Sequence, residues 1–227
     1  MKYRLLLAGV LVCALSVSVF ADHNTLSPRE QRFGWKLLFN GGDLSGWTAA
    51  DQSGAWSVQD GTIYCNGRGG GYLYSNDQHK NFVLRLDFKV SPNANSGVFL
   101  RVWDRNDPVN TGIEVQILDS YGKPNPGKHD CGAVYDITAP LKNAARPAGE
   151  WNSLSICCRD DCFKVFLNGE KIVDIKLSDW TEPGKNPDGT PNKFKYAYKD
   201  MVKPGYIGLQ NHGHEVWFRN IKIRPLY

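Results

Sequence analysis

The strongest regularity in the chain is an alternation of period two. In Phe82-Val-Leu-Arg-Leu-Asp-Phe-Lys-Val90, the residues Phe82, Leu84, Leu86, Phe88 and Val90 share one face, while Arg85, Asp87 and Lys89 share the other. That is the pattern of a strand covered on one side. Two hairpins are marked by their turns. Asp60-Gly61 separates Trp56–Gln59 from Thr62–Cys65, and Asn168-Gly169 separates Phe163–Leu167 from Lys171–Ile175. Both dipeptides tolerate the positive φ that a two-residue hairpin turn demands. Further strands are expected at 98–101, 113–118, 151–158, 205–211 and 216–224, and no segment keeps helical periodicity for three turns. Short strands joined by polar turns predict an all-β sandwich of two antiparallel sheets packed face to face. One long excursion, 178–204, contains Pro183-Gly184, Pro187-Asp-Gly189 and Pro191 and is expected to form a rim or lid.

Three of these strands have a second face that is polar without being simply charged. Glu114 and Gln116 oppose Ile113, Val115 and Ile117; Arg101 opposes Val98 and Leu100; Gln210 and His212 oppose Ile207 and Leu209. If the three strands are neighbours, Arg101, Glu114, Gln116, Gln210 and His212 converge on one sheet face. A carboxylate, a guanidinium, an imidazole and two amides suit a hydroxyl-rich substrate. Asp119 lies at an odd separation from Glu114. It joins that face only if a β-bulge falls near Leu118, and otherwise it is a turn residue. His129, Asp130 and Tyr135 sit in a mixed loop-and-strand segment of the kind that forms rims. No Ser-His-Asp or Cys-His array has interpretable spacing, and Gly67-Arg-Gly-Gly-Gly71 reads as a turn rather than a phosphate cradle.

Composition narrows the partners. Residues 1–21 read as a signal peptide: Lys2 and Arg4 precede the apolar stretch Leu5–Phe20, and Val19-Phe20-Ala21 supplies a cleavage pattern. Residues 22–32 then form a polar mature terminus and 33–227 the β domain, with no membrane association after cleavage. Loss of Lys2 and Arg4 takes the 27 basic residues to 25 against 23 acidic ones. That near balance is no footprint for nucleic acid and predicts a neutral or weakly charged partner. Five cysteines remain in the mature chain, and Cys158 and Cys162 flank a turn across which a disulfide is one expectation.

Several segments resemble a known family. They are Gly34-Trp-Lys-Leu-Leu-Phe-Asn-Gly-Gly-Asp-Leu-Ser-Gly-Trp47, Asn95-Ser-Gly-Val-Phe-Leu-Arg101, Gly112-Ile-Glu-Val-Gln-Ile-Leu-Asp119, Gly132-Ala-Val-Tyr-Asp136, and Gly205-Tyr-Ile-Gly-Leu-Gln-Asn-His-Gly213 followed by Phe218-Arg-Asn-Ile221. Their order and content are similar to the 3-keto-disaccharide hydrolases, also described as 3-keto-glycoside lyases or hydratases. The resemblance implies a concanavalin A-like jelly roll, export to the bacterial periplasm or beyond, and action on 3-keto sugars. A C3 ketone acidifies the C2 proton, so a base removes it, the C1 substituent departs, and water adds across the double bond. On that scheme Glu114 or His212 is the base and Arg101 stabilises the enolate, with a divalent metal as an open addition. Gln116 and Gln210 hold hydroxyls, and Asp119 or His129 protonates the leaving oxygen. Tyr135 and Trp180 complete the expected substrate contacts, and Glu114, Asp119 and His212 are the potential metal donors. Two other readings stay open: a two-carboxylate glycosidase, weakened by Gln116 where related glucanases carry an acid, and a non-catalytic binding module using Trp103, Trp180 or Tyr198.

Overall fold

The computed structural model describes residues 23–227, so the expected signal peptide lies outside the described residues. Thirteen strands run through them: β1 Lys36–Leu37, β2 Trp47–Ala49, β3 Trp56–Gln59, β4 Thr62–Asn66, β5 Gly71–Ser75, β6 Phe82–Val90, β7 Asn95–Val102, β8 Ile113–Leu118, β9 Asn152–Arg159, β10 Cys162–Leu167, β11 Glu170–Lys176, β12 Tyr206–Asn211 and β13 Glu215–Pro225. Helix is limited to short pieces, the longest being α1 at Pro28–Arg32, capped by Ser27 and Glu30 in a reciprocal box. Among the described residues no helix is long and apolar enough to cross a membrane.

The strands form two antiparallel sheets. One has the order β11-β10-β9-β6-β13-β4-β3, with β1 also paired to β13, and the other the order β2-β5-β12-β7-β8. Alternation decides which side chains meet between them. Phe82, Leu84, Leu86, Phe88 and Val90 of β6 lie in a common core with Val98 and Leu100 of β7, Val115 of β8, and Ile207 and Leu209 of β12. The two expected hairpins form as their turns require: Asp60 and Gly61 have φ of 47° and 70°, and Asn168 and Gly169 have 52° and 85°.

Cys158 is fully buried in the core, and burial pushes its thiol up to about 12. Cys158 pairs with Phe163 and Cys162 with Arg159, which sends the two sulfurs to opposite faces of the sheet, and both cysteines are free. The Cys158–Cys162 disulfide is therefore not formed, because a hairpin bridge needs both side chains on one face.

Candidate active site

Because Ile113, Val115 and Ile117 fill the core, Glu114 and Gln116 must face outward from the five-stranded sheet. The same parity sends Gln210 outward from β12 and Tyr72 outward from β5, and the register sets Gln210 opposite Tyr72 and Gln116 opposite Gly97. With Asn95 and His212, these side chains line a cavity of about 320 Å³. Four of the five expected residues thus converge, together with Tyr135.

Glu114 is only 7% exposed. Its carboxyl occupies space that a side chain on the neighbouring strand would take: a Cβ on Gly97 would stand 2.5 Å from Oε1. Burial pushes the carboxyl up to about 7, while the charge of Lys193 pulls the other way. Gln116 is satisfied when its amide nitrogen donates to Glu114 Oε1 at 3.1 Å and to the Ser96 carbonyl at 3.2 Å. Gln210 is held against the cavity wall with a buried Oε1 that has no hydrogen-bond partner among the described residues.

A short edge segment extends the sheet beyond β8. Gln116 N donates to Ala133 O at 3.0 Å and Tyr135 N donates to Glu114 O at 3.0 Å, which brings the Tyr135 ring to the cavity. The excursion 178–204 then contributes a residue that strand parity cannot reveal. Lys193 lines the cavity with its Nζ 4.1 Å from the Tyr135 ring centroid. Asp136 brackets this rim, accepting from Lys193 N at 2.9 Å and contacting His129 Nε2 at 3.2 Å. His129 packs against Tyr135 with centroids 4.6 Å apart, and it stands behind the tyrosine rather than on the cavity wall.

Three further expected site residues are, like His129, placed off the cavity wall. Arg101 is fully buried at a bulge in β7: its φ is 56°, and the register slips so that Val102 faces Tyr206 while Phe99 faces Gly208. The extra residue turns the guanidinium inward, where it donates to Lys80 O at 2.7 Å, Asp160 O at 2.9 Å and Asn81 Oδ1 at 3.2 Å. Arg101 is therefore a clamp between loops and does not face substrate. Asp119 takes the turn alternative, accepting from Asn93 N at 2.9 Å, and does not line the cavity. Trp180 is 7% exposed in the core, with Nε1 donating to Asn186 Oδ1 at 2.9 Å, so it offers no stacking surface.

Separation of Asp119 from Glu114 and His212 also dissolves the expected metal donor trio. Among the described residues no group of three or more His, Cys, Asp or Glu is arranged to hold a metal ion. The polar lining residues missed by sequence reasoning are Tyr72, Asn95, Lys193 and Asn211. Tyr72 and Tyr74 alternate with Leu73 and carried a strand signal, whereas nothing local marks Lys193.

Two antiparallel sheets with a carboxyl-bearing cavity on one outer face make this a concanavalin-like jelly roll; a Crh5 transglycosylase, 12% identical with a TM-score of 0.52 over 82% of each chain, shares that fold. The chain belongs to the family described as the 3-keto-alpha-glucoside-1,2-lyase-like domain, which matches residues 34–224. A 3-keto-disaccharide hydrolase of Bacteroides thetaiotaomicron is 28% identical, with 85% of this chain and 79% of that protein aligned. Two crystal structures of candidate glycosyl hydrolases from Parabacteroides distasonis are also similar. One is 33% identical with a TM-score of 0.76, covering 85% of this chain and 99% of the other. The second is 25% identical with a TM-score of 0.76, covering 91% and 100%.

Proposed function

We propose that this protein is a carbohydrate-active enzyme that cleaves 3-keto-glycosides or 3-keto-disaccharides by elimination and hydration. The observation that carries this reading is the Glu114 carboxyl in a polar cavity that, among the described residues, is lined by no second carboxylate. Hydrolysis through an oxocarbenium ion needs two carboxyl groups flanking the bond, whereas elimination needs one base near neutrality. A carboxyl pushed up to about 7 meets that need. Family membership and the named relatives point to the same substrate class.

In this scheme Glu114 removes the proton at C2, and the C–H electrons form a C2–C3 enolate with the charge on the C3 oxygen. Lys193 is the cation on the cavity wall that offsets that charge, in the role first assigned to Arg101. The enolate collapses, the C1–O bond breaks, and His212 at the rim donates a proton to the leaving oxygen. After the proton on Glu114 has exchanged with solvent, His212 takes a proton from water, whose hydroxyl adds to C1, and Glu114 delivers its exchanged proton to C2, giving a free 3-keto sugar with both groups regenerated. Gln210 and Tyr72, paired across β12 and β5, line the cavity where sugar hydroxyls would sit.

The test is turnover of a 3-keto-disaccharide and its unoxidised parent in deuterated water. Deuterium at C2 of the product, no reaction of the parent sugar, and loss of turnover in Glu114→Gln with folding intact are expected. Cleavage without deuterium at C2 would discard the elimination route. Saturable binding with no turnover would make the domain a binding module.

A further inference from the structure

The outer face of the eight-stranded sheet carries a cavity of about 530 Å³, on the opposite side of the molecule from Glu114. It is lined by Arg29 and Phe33 from α1 and its end, by Trp35, and by Arg85 and Arg224 from the paired strands β6 and β13. Arg85 stands directly opposite Lys222 in the register, and Arg224 is opposite Val83, one diagonal step away. Like charges facing each other across a strand pair are destabilising unless neutralised. Glu30, the carboxylate lining this cavity, is already engaged by Lys222.

Among the described residues no hydrogen-bond acceptor is found for the guanidiniums of Arg29 and Arg85, which are exposed, or of Arg224, which is half-buried. Arg85 and Arg224 lie 4.6 and 5.7 Å from the Trp35 ring centroid, and Arg29 lies 5.8 Å from that of Phe33. These ring contacts orient the planar groups but satisfy none of their N–H donors. Arg224 Nε is buried with no hydrogen-bond partner among the described residues. Guanidinium forks held in this way suit a carboxylate, which they grip with two parallel bonds. A bare inorganic anion would leave most of the space empty. The Phe33 ring, 54% exposed on the cavity wall, offers a flat apolar surface of the kind that takes the C–H face of a pyranose.

We infer that this cavity is a second saccharide site that takes a carboxylate-bearing sugar, such as a uronate unit of an acidic oligosaccharide. The inference stands apart from the keto-sugar reading, because it uses no residue of the Glu114 cavity. It gives the protein a means of staying on an acidic glycan while the other face works on its substrate.

Titration calorimetry with a tri-galacturonate, a neutral trisaccharide and a glutamate peptide of equal charge tests it. The tri-galacturonate is expected to bind saturably and more weakly as salt rises, and the other two probes not to bind. Arg85→Gln and Arg224→Gln should each weaken binding about 10-fold, with circular dichroism and keto-sugar turnover unchanged. Glu114→Gln should bind the tri-galacturonate as the parent does. No saturable binding, indifference to both arginine substitutions, loss of binding in Glu114→Gln, or equal affinity for the acidic peptide would each overturn the assignment.

Discussion

On the proposed mechanism, a single proton on Glu114 links activity to stability. In the unfolded chain its carboxyl ionises near the ordinary 4.5, and in the fold only near 7. Between those values the folded state holds the extra proton, so stability falls as pH rises through that window and levels off above it. The cost at alkaline pH is at most about 3 kcal/mol. Glu114→Gln is therefore expected to melt at a higher temperature than the parent above neutrality and at a similar one below pH about 4.5. Calorimetry across pH checks this, and a constant difference between the two proteins would contradict it. Activity should run the other way, with kcat/KM rising as pH passes through about 7 because the base works only when ionised. Gly97 sets where that carboxyl stands. Gly97→Ala would put a methyl group 2.5 Å from Oε1 and displace the group. A loss in kcat of about 100-fold with an unchanged fold is expected, measured by steady-state kinetics beside circular dichroism.

At the scale of strands and turns, the bulge in β7 decides what Arg101 does. Its guanidinium ties Lys80, Asn81 and the Asp160 turn together inside the protein. Arg101→Met keeps the bulk and strands those acceptors, so a destabilisation of about 3 kcal/mol is expected. Urea denaturation measures it, and KM of the folded fraction should not change. This residue also marks the limit of what alternation reveals. Phe82–Val90 and Ile113–Leu118 were legible to the residue, because an uninterrupted strand sorts its side chains by parity. Glu114, Gln116 and Gln210 were found the same way. Arg101 fails the parity rule because one extra residue reverses the faces, and the sequence Leu100-Arg101 carries no glycine or proline to announce it. For Asp119 both outcomes were open, and only the contact with Asn93 settles it.

Across the whole molecule, two features arise from chain segments far apart in sequence. Arg29, Arg85 and Arg224 share a cavity although no basic run joins them, so a near-neutral overall charge hides a concentrated cationic patch. Lys193 reaches the Glu114 cavity from the long excursion, where its charge opposes the effect of burial on the carboxyl. Lys193→Met is expected to raise the pH at which activity appears and to lower kcat about 10-fold. A pH–rate profile reads both effects, and an unmoved profile would remove Lys193 from the chemistry.

That excursion has a further consequence. Trp180, Phe194 and Tyr198 drive its ring systems into the core, and Asp136 fastens the backbone at Lys193, so the segment is pinned on both sides of its tip. The mouth of the cavity is thus bordered by a rim anchored in the core. On the proposed keto-sugar chemistry, selection among sugars would then fall to the outline of that rim.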